Sequence, residues 1–266
     1  MKPEGVLLNS LRLINLIHSD PLDYLAREKF EVSRSDTRSN LRDLLDGKVD
    51  YAMISLIDYF KNRKSLVLVD GPTISGKGKS DSNLLISNGS DPFPGMRIAV
   101  TSETETTAFF LKLILQRLYP GSELIRSRNN SVGDLLKEED FALVIGNRAL
   151  DIYRTDTKII FDITHMISKL FNMHSIYAVT VSLNGREYDE NLVQLKNIPR
   201  WTITRDLERI SKEHNLEKSI LTEYYNSLTY DLNNLMKKEI LTFMKYYNEI
   251  SDDIFLENID ENSIRK

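Results

Sequence analysis

The sequence predicts an α/β protein of two similarly built lobes, and three observations carry that prediction. One pattern occurs twice: Gly5-Val6-Leu7-Leu8-Asn9-Ser10 is followed by Val49-Asp50-Tyr51-Ala52-Met53-Ile54-Ser55, and Arg97-Ile98-Ala99-Val100-Thr101-Ser102 by Glu139-Asp140-Phe141-Ala142-Leu143-Val144-Ile145-Gly146. Each half reads as a buried strand, a polar turn, a helix and an Asp-aromatic-Ala strand. The chain has 266 residues, 41% of them hydrophobic, enough for two cores of ordinary size. Between the halves, Asp91-Pro92-Phe93-Pro94-Gly95 reads as a hinge. Two such lobes are expected to enclose a cleft, where small ligands bind and closure excludes water.

The first lobe, residues 1–93, is expected to open with a strand at Gly5 to Leu8 and a helix through Leu11 to Ile17, broken by Ser19-Asp20-Pro21. A strand at Phe30 to Ser33 follows. Thr37 or Ser39 caps a helix through Leu41, Leu44 and Leu45, which Gly47 ends before the Asp50 strand. Ser65 to Asp70 reads as a strand, Gly71 to Ser82 as a turn-rich segment and Asn83 to Ser87 as a strand.

The second lobe, residues 94–183, begins with the Arg97 strand and a helix from Thr104 to Tyr119, stopped by Pro120-Gly121. A strand at Ser122 to Ile125, a helix at Val132 to Lys137 and the Asp140 strand come next. A short helix at Ala149 to Tyr153, a strand at Lys158 to Asp162, a helix at Met166 to Phe171 and a strand at Ser175 to Ser182 complete it. Residues 184–266 are expected to return to the first lobe, with helices at Thr204 to Glu213, Leu216 to Ser227 and Tyr230 to Asn248.

Composition narrows the function. The net charge is −4 with both signs interspersed, so no basic stripe serves a phosphate backbone and nucleic acid is not an expected partner. The absence of cysteine removes disulfides and thiolate metal sites, and the four histidines do not cluster in sequence. Neither a metal nor a cofactor is expected. No run approaches a membrane span and the N-terminus lacks an apolar signal core, so a cytoplasmic location is expected.

Gly71-Pro72-Thr73-Ile74-Ser75-Gly76-Lys77-Gly78 comes near a nucleotide-binding P-loop. Gly78 stands where Ser or Thr must hold magnesium, and the residues after it read as loop and strand instead of helix. A flexible glycine loop over the cleft is the expectation, with Lys77 and Lys79 solvated. Asn9-Ser10 and Thr101-Ser102-Glu103-Thr104 sit where each lobe's opening strand is expected to meet its helix. Backbone N–H groups and hydroxyls there suit a carboxylate, and equally suit helix capping.

These residues, in order, resemble the chorismate dehydratases of the futalosine route to menaquinone, within the periplasmic-binding-protein-like superfamily. The resemblance runs from Leu8-Asn9-Ser10 through Gly47-Lys48-Val49-Asp50-Tyr51-Ala52, Ile74 to Leu85, Thr101 to Thr104 and Asp140 to Leu150, to a Tyr224-Tyr225 and Tyr230 stretch. It implies a two-lobed α/β fold of the periplasmic-binding-protein-like (type II) class, with a ligand cleft between the lobes. It implies dehydration of chorismate to 3-[(1-carboxyvinyl)oxy]benzoate, with Asn9 and Ser82 orienting the substrate and its leaving hydroxyl. Ser102 and Thr104 would receive a carboxylate, and Ser10, Ser75, Asn147, Asn172 and His174 complete the expected substrate contacts.

The family usually has Pro in place of Arg12, Ser of Glu105, Asp of Asn147, Thr-Gly of Phe171-Asn172 and Pro of His174. A divergent member, or one acting on a similar carboxylated metabolite, is therefore expected. A non-catalytic small-anion solute-binding protein, the capturing component of a transporter, is the alternative. The expected partner is a small carboxylated metabolite, without a membrane, and a homodimer is compatible with the sequence.

Overall fold

The computed structural model describes residues 8–101, 104–186, 188–250 and 254, with the side chains of residues 200 and 201 left aside. In chain order the strands are β1 (Ser10–Ile14), β2 (Glu31–Ser35), β3 (Tyr51–Ser55), β4 (Leu66–Gly76), β5 (Asn83–Ser87), β6 (Arg97–Thr101), β7 (Glu123–Ser127), β8 (Phe141–Ile145), β9 (Lys158–Asp162), β10 (Ser175–Leu183) and β11 (Leu228–Asp231). The helices are α1 (Asp20–Ala26), α2 (Thr37–Leu45), α3 (Leu56–Asn62), α4 (Glu105–Leu118), α5 (Val132–Glu138), α6 (Asn147–Ile152), α7 (Ile163–Phe171), α8 (Glu190–Leu195), α9 (Arg200–Arg205), α10 (Leu207–His214), α11 (Lys218–Ser227) and α12 (Asn234–Ile250).

The chain forms two compact units, one from residues 1–76 with 176–240 and the other from 77–175 with 241–266. The first holds a six-stranded sheet in the order β11-β4-β10-β3-β1-β2, the second a five-stranded sheet in the order β7-β6-β8-β5-β9. These bounds differ from the expected breaks at 93/94 and 183/184. The cause is strand pairing: β5 is buried along its whole length between β8 and β9, which places Asp91 to Gly95 inside the second unit. Likewise β10 pairs antiparallel with β3, matching Val179 to Ile54, so the return to the first unit precedes this strand. The bound at Ile240 falls within α12, whereas all of 184–266 was expected in the first lobe.

Leu11 to Ile17, expected as a helix, is β1 followed by a single 3-10 turn at Ile17–Ser19. Leu11 and Leu13 are fully buried while Ser10 and Arg12 are half-exposed, a period of two that fits a strand between β2 and β3. Gly5 to Leu7 of the expected opening strand lie outside the described residues. The turn-rich segment and flexible glycine loop expected from Gly71 are corrected as far as Gly76, because β4 runs on to that residue. There Thr73 donates to the Ala178 carbonyl (2.6 Å) and Thr180 to the Pro72 carbonyl (2.6 Å). A Cβ at Gly71 would lie 3.3 Å from Thr180 and 3.4 Å from Leu192, so the missing side chain permits this approach. The strand geometry also excludes a P-loop.

Elements that went unread include α1, α3, α8 and β11. Ser55 ends β3 and caps α3 by accepting from the Asp58 N–H (3.0 Å), and β11 occupies the start of the helix expected at Tyr230. The first core gathers Leu11, Leu13, Phe30, Tyr51, Met53 and Ile74, with Phe30 edge-on to Tyr51 at 6.2 Å. In the second unit Leu84, Ile86, Ala99, Ala142 and Val144 form the sheet core, and Phe243 of α12 meets Phe110 at 4.9 Å.

Candidate ligand-binding turns

Parallel α/β sheets place their ligand sites beyond the C-terminal ends of the strands, where helix starts and loops converge. In the first unit β1, β2 and β3 run parallel, so that edge holds Ile14, Ser35 and Ser55. Beyond Ile14 lies the 3-10 turn, and three successive carbonyls of this segment are engaged by side chains. Leu16 O accepts from Arg34 Nη2 (2.8 Å), Ile17 O from the Tyr225 hydroxyl (2.9 Å) and His18 O from the Tyr230 hydroxyl (2.8 Å). Burial raises the ionisation of both tyrosines far above the ordinary phenol range, so they stay neutral donors.

Arg34 Nη1 also donates to the buried Asp20 Oδ1 (2.5 Å), and His214 Nε2 stands 3.6 Å from Asp20 Oδ2, an ion-pair distance too long for a hydrogen bond. Desolvation, reinforced by the Arg34 charge, lowers the His18 pKa to about 3 and leaves a neutral imidazole. Both His18 Nε2 and Ser19 Oγ are buried with no hydrogen-bond partner among the described residues. An unmet buried polar group costs about 1–3 kcal/mol, so in a native fold such a group is met by a water, an ion or a ligand, or is held under strain.

In the second unit β6 and β8 are parallel, β5 runs against β8 with Asn83 opposite Ile145, and β9 runs against β5 with Asp162 opposite Leu84. One edge of this sheet therefore gathers Ser82, Thr104, Asn147 and Asp162. Ser82 is buried, and its carbonyl accepts from the Gly146 N–H (2.8 Å). Gly146, at φ 59°, turns the chain so that the half-buried Asn147 opens α6. Thr104 is buried with its hydroxyl donating to the Thr101 carbonyl (2.7 Å), while Ser102 lies outside the described residues. Glu105 at the start of α4 pairs with Arg126 of β7 (2.7 Å), which neutralises a charge that would otherwise oppose a carboxylate.

The remaining predicted residues stand elsewhere. Asn9 and Ser10 were expected after the opening strand, but they precede or begin β1, at the opposite edge of the sheet from the turn. Asn9 is exposed and donates to Asp189 (2.9 Å). The Ser10 N–H and hydroxyl both donate to Asp50 Oδ2 (2.8 Å each), and Ser10 Oγ accepts from the Asp50 N–H (2.9 Å), stapling the starts of β1 and β3. The hydroxyl of the fully buried Ser75 donates to the Thr229 carbonyl (3.0 Å), joining β4 to β11. Asn172 caps the C-terminus of α7 in the left-handed conformation, φ 54°, at the far end of that helix from Asp162. His174 follows it, half-buried, just before β10.

His18 and Ser19 were missed because Ser19-Asp20-Pro21 read as a break. Proline near the first position of a helix is also a start signal, and Pro21 occupies such a position in α1. Arg12, set against the family's proline, is a β1 residue paired with Asp43 (2.7 Å). A separate hollow of about 340 Å³ lies at the other edge of the second sheet, lined by Phe93, Arg97, Glu139 and Phe141 among others. Among the described residues no group of three or more His, Asp or Glu suits a metal, and no helix is long and apolar enough to cross a membrane.

A family described as menaquinone biosynthesis matches residues 14–249, a span that includes His18, Ser19 and Ser82 and begins after Asn9 and Ser10. No curated protein matches the sequence. Among solved structures, protein AF1704 from Archaeoglobus fulgidus is similar at a TM-score of 0.71 and 11% identity, over 91% of this chain and 97% of that one. The periplasmic aliphatic sulphonate binding protein SsuA from Escherichia coli is similar at 0.66 and 11% identity, over 97% of both chains. A Candida albicans gene product with the generic periplasmic binding protein fold is similar at 0.64 and 12% identity, over 94% of both. The chain belongs to the menaquinone-biosynthesis family and has a periplasmic-binding-protein-like fold.

Proposed function

We propose that this protein binds a small carboxylated metabolite and dehydrates chorismate to 3-[(1-carboxyvinyl)oxy]benzoate. The observation that carries the reading is the turn beyond β1, where tied-back carbonyls leave His18 Nε2 and Ser19 Oγ buried and unpartnered at the edge where such folds take ligands. The family match supports a place in menaquinone biosynthesis. Ser82, Thr104 and Asn147 supply the corresponding polar edge of the second unit.

In this reading the ring proton next to the enol ether leaves, made acidic by the conjugated diene and ring carboxylate. The substrate's own carboxylate takes that proton, and the neighbouring hydroxyl departs as water once protonated. Aromatisation drives the loss, and the balance is chorismate to product plus one water. The protein's part is to hold the pose, hydrogen-bond the departing hydroxyl and keep bulk water out. Neutral groups such as His18 and Ser82 suit that part, since they orient without adding charge.

A second reading, a non-catalytic small-anion binding protein, draws on the likeness to the sulphonate-binding protein. Incubation with chorismate, followed by ultraviolet absorbance and mass spectrometry, separates the two. The dehydratase reading expects an aromatic product lighter by one water. Chorismate bound but recovered unchanged supports simple binding, and chorismate neither bound nor changed removes it as ligand.

A further inference from the structure

The polar residues behind Ser82 form a chain with a definite direction. Thr107 of α4 donates to Asn83 Oδ1 (3.3 Å), and Asn83 Nδ2 donates to Ser82 Oγ (3.1 Å). Among the described residues Ser82 Oγ in turn has only Ser80 Oγ as acceptor, at 3.5 Å, the outer limit of a hydrogen bond. Ser80 is itself taken up on both sides: Thr164 donates to its oxygen (2.7 Å), and its own hydroxyl donates to Asp162 Oδ2 (3.2 Å). Asp162 Oδ2 also accepts the Ser80 N–H (3.0 Å) and Asp81 N–H (2.6 Å), while its Oδ1 caps α7 through the His165 N–H (2.9 Å). Thr107, Asn83, Ser82, Ser80, Thr164 and Asp162 are all buried, so water does not replace these bonds freely.

The consequence lies in the hydroxyl of Ser82. Its oxygen receives a sound hydrogen bond from Asn83, and among the described residues its proton has no acceptor of comparable quality. We propose that Asn83, oriented by Thr107, is a positioning residue that fixes the Ser82 hydroxyl as a hydrogen-bond donor, so that this position selects a ligand group that accepts: a carboxylate oxygen or a departing hydroxyl. This deepens the functional reading above and rests on Ser82 facing the ligand. A serine whose neighbours accept would turn its proton inward; here the donors on its inner side turn the proton outward. Asp162 fixes the other boundary, because its charge holds the Ser80 proton and keeps Ser80 from donating to Ser82.

The test uses Asn83→Asp, near in shape, which replaces the donor with an acceptor for the Ser82 proton. With chorismate as probe, Ser82→Ala and Asn83→Asp should each lower kcat/KM at least about tenfold, and the double variant should be no worse than either single one, because both remove the same donated bond. Thr107→Val, which frees the amide to rotate, should lose less. A loss in Ser82→Ala with full activity in Asn83→Asp overturns the inference and leaves the site; full activity in Ser82→Ala removes Ser82 from the site. A ligand-free measurement decides the orientation independently. In the 15N–1H spectrum, the Asn83 side-chain amide, assigned by its absence in Asn83→Asp, should shift in Ser82→Ala, which removes its acceptor. An unchanged amide in Ser82→Ala and a large shift in Thr107→Val mean the amide is turned round, and the inference falls.

Discussion

His18 shows how burial sets a residue's chemistry. An imidazole with a pKa of about 3 in the fold and about 6.5 in the unfolded chain binds more protons when unfolded across that interval. Its neutral burial therefore contributes no loss above pH 6.5, and stability falls as pH drops from 6.5 towards 3. Crossing the whole interval corresponds to roughly 5 kcal/mol. Denaturation with urea between pH 7 and 5 should show wild type losing stability more steeply than His18→Asn; parallel slopes would mean that His18 does not titrate in this way. Ser19 makes a complementary case. Ser19→Ala removes a buried hydroxyl that has no partner, so the free protein should become no less stable, or gain about 1 kcal/mol, while chorismate turnover falls about tenfold. Loss of stability without loss of turnover would give Ser19 a structural role instead.

At the scale of elements, the turn beyond β1 is fixed from outside. Arg34 comes from β2, Tyr225 from α11 and Tyr230 from β11, and each supplies one donor to one carbonyl. Tyr230→Phe keeps the ring and removes the bond to His18 O, so it should cost about 1–2 kcal/mol in urea denaturation and raise KM more than it lowers kcat. An unchanged KM would separate the tyrosine from ligand binding. Asp162 plays the equivalent part in the second unit, capping α7 and holding the Ser80 and Asp81 amides. Asp162→Ala should cost about 3 kcal/mol, seen as a lower denaturation midpoint, because it strands several buried donors at once. A change below about 0.5 kcal/mol would show that water satisfies them.

For the whole molecule, the second sheet was largely legible, since β6 and β8 are short apolar runs bounded by turn residues. The first sheet was harder. Leu11, Leu13 and Ile14 satisfy a helical and an alternating pattern together, and only pairing with β2 and β3 decides between them. Reading β1 as a helix moved the expected turn back to Asn9-Ser10, at the opposite edge of the sheet from the 3-10 turn that carries His18 and Ser19. Ser82, Thr104 and Asn147 flank β5, β6 and β8, whose apolar runs are visible in the sequence. The division into units was not legible from Pro and Gly alone: Asp91 to Gly95 looks like a hinge, yet the pairing of β5 decides where the chain crosses. Tyr225 and Tyr230 are core residues that each also make a positioning bond, a distinction that composition does not carry.

The proposed function places ligand at the turn carrying His18 and Ser19. A crystal structure of the protein with chorismate or its dehydration product tests it most directly. The account predicts ligand density with polar atoms within hydrogen-bond distance of Ser19 Oγ and His18 Nε2. Density confined to another place, such as the hollow beside Phe93 and Arg97, with those two atoms still unpartnered, would contradict it.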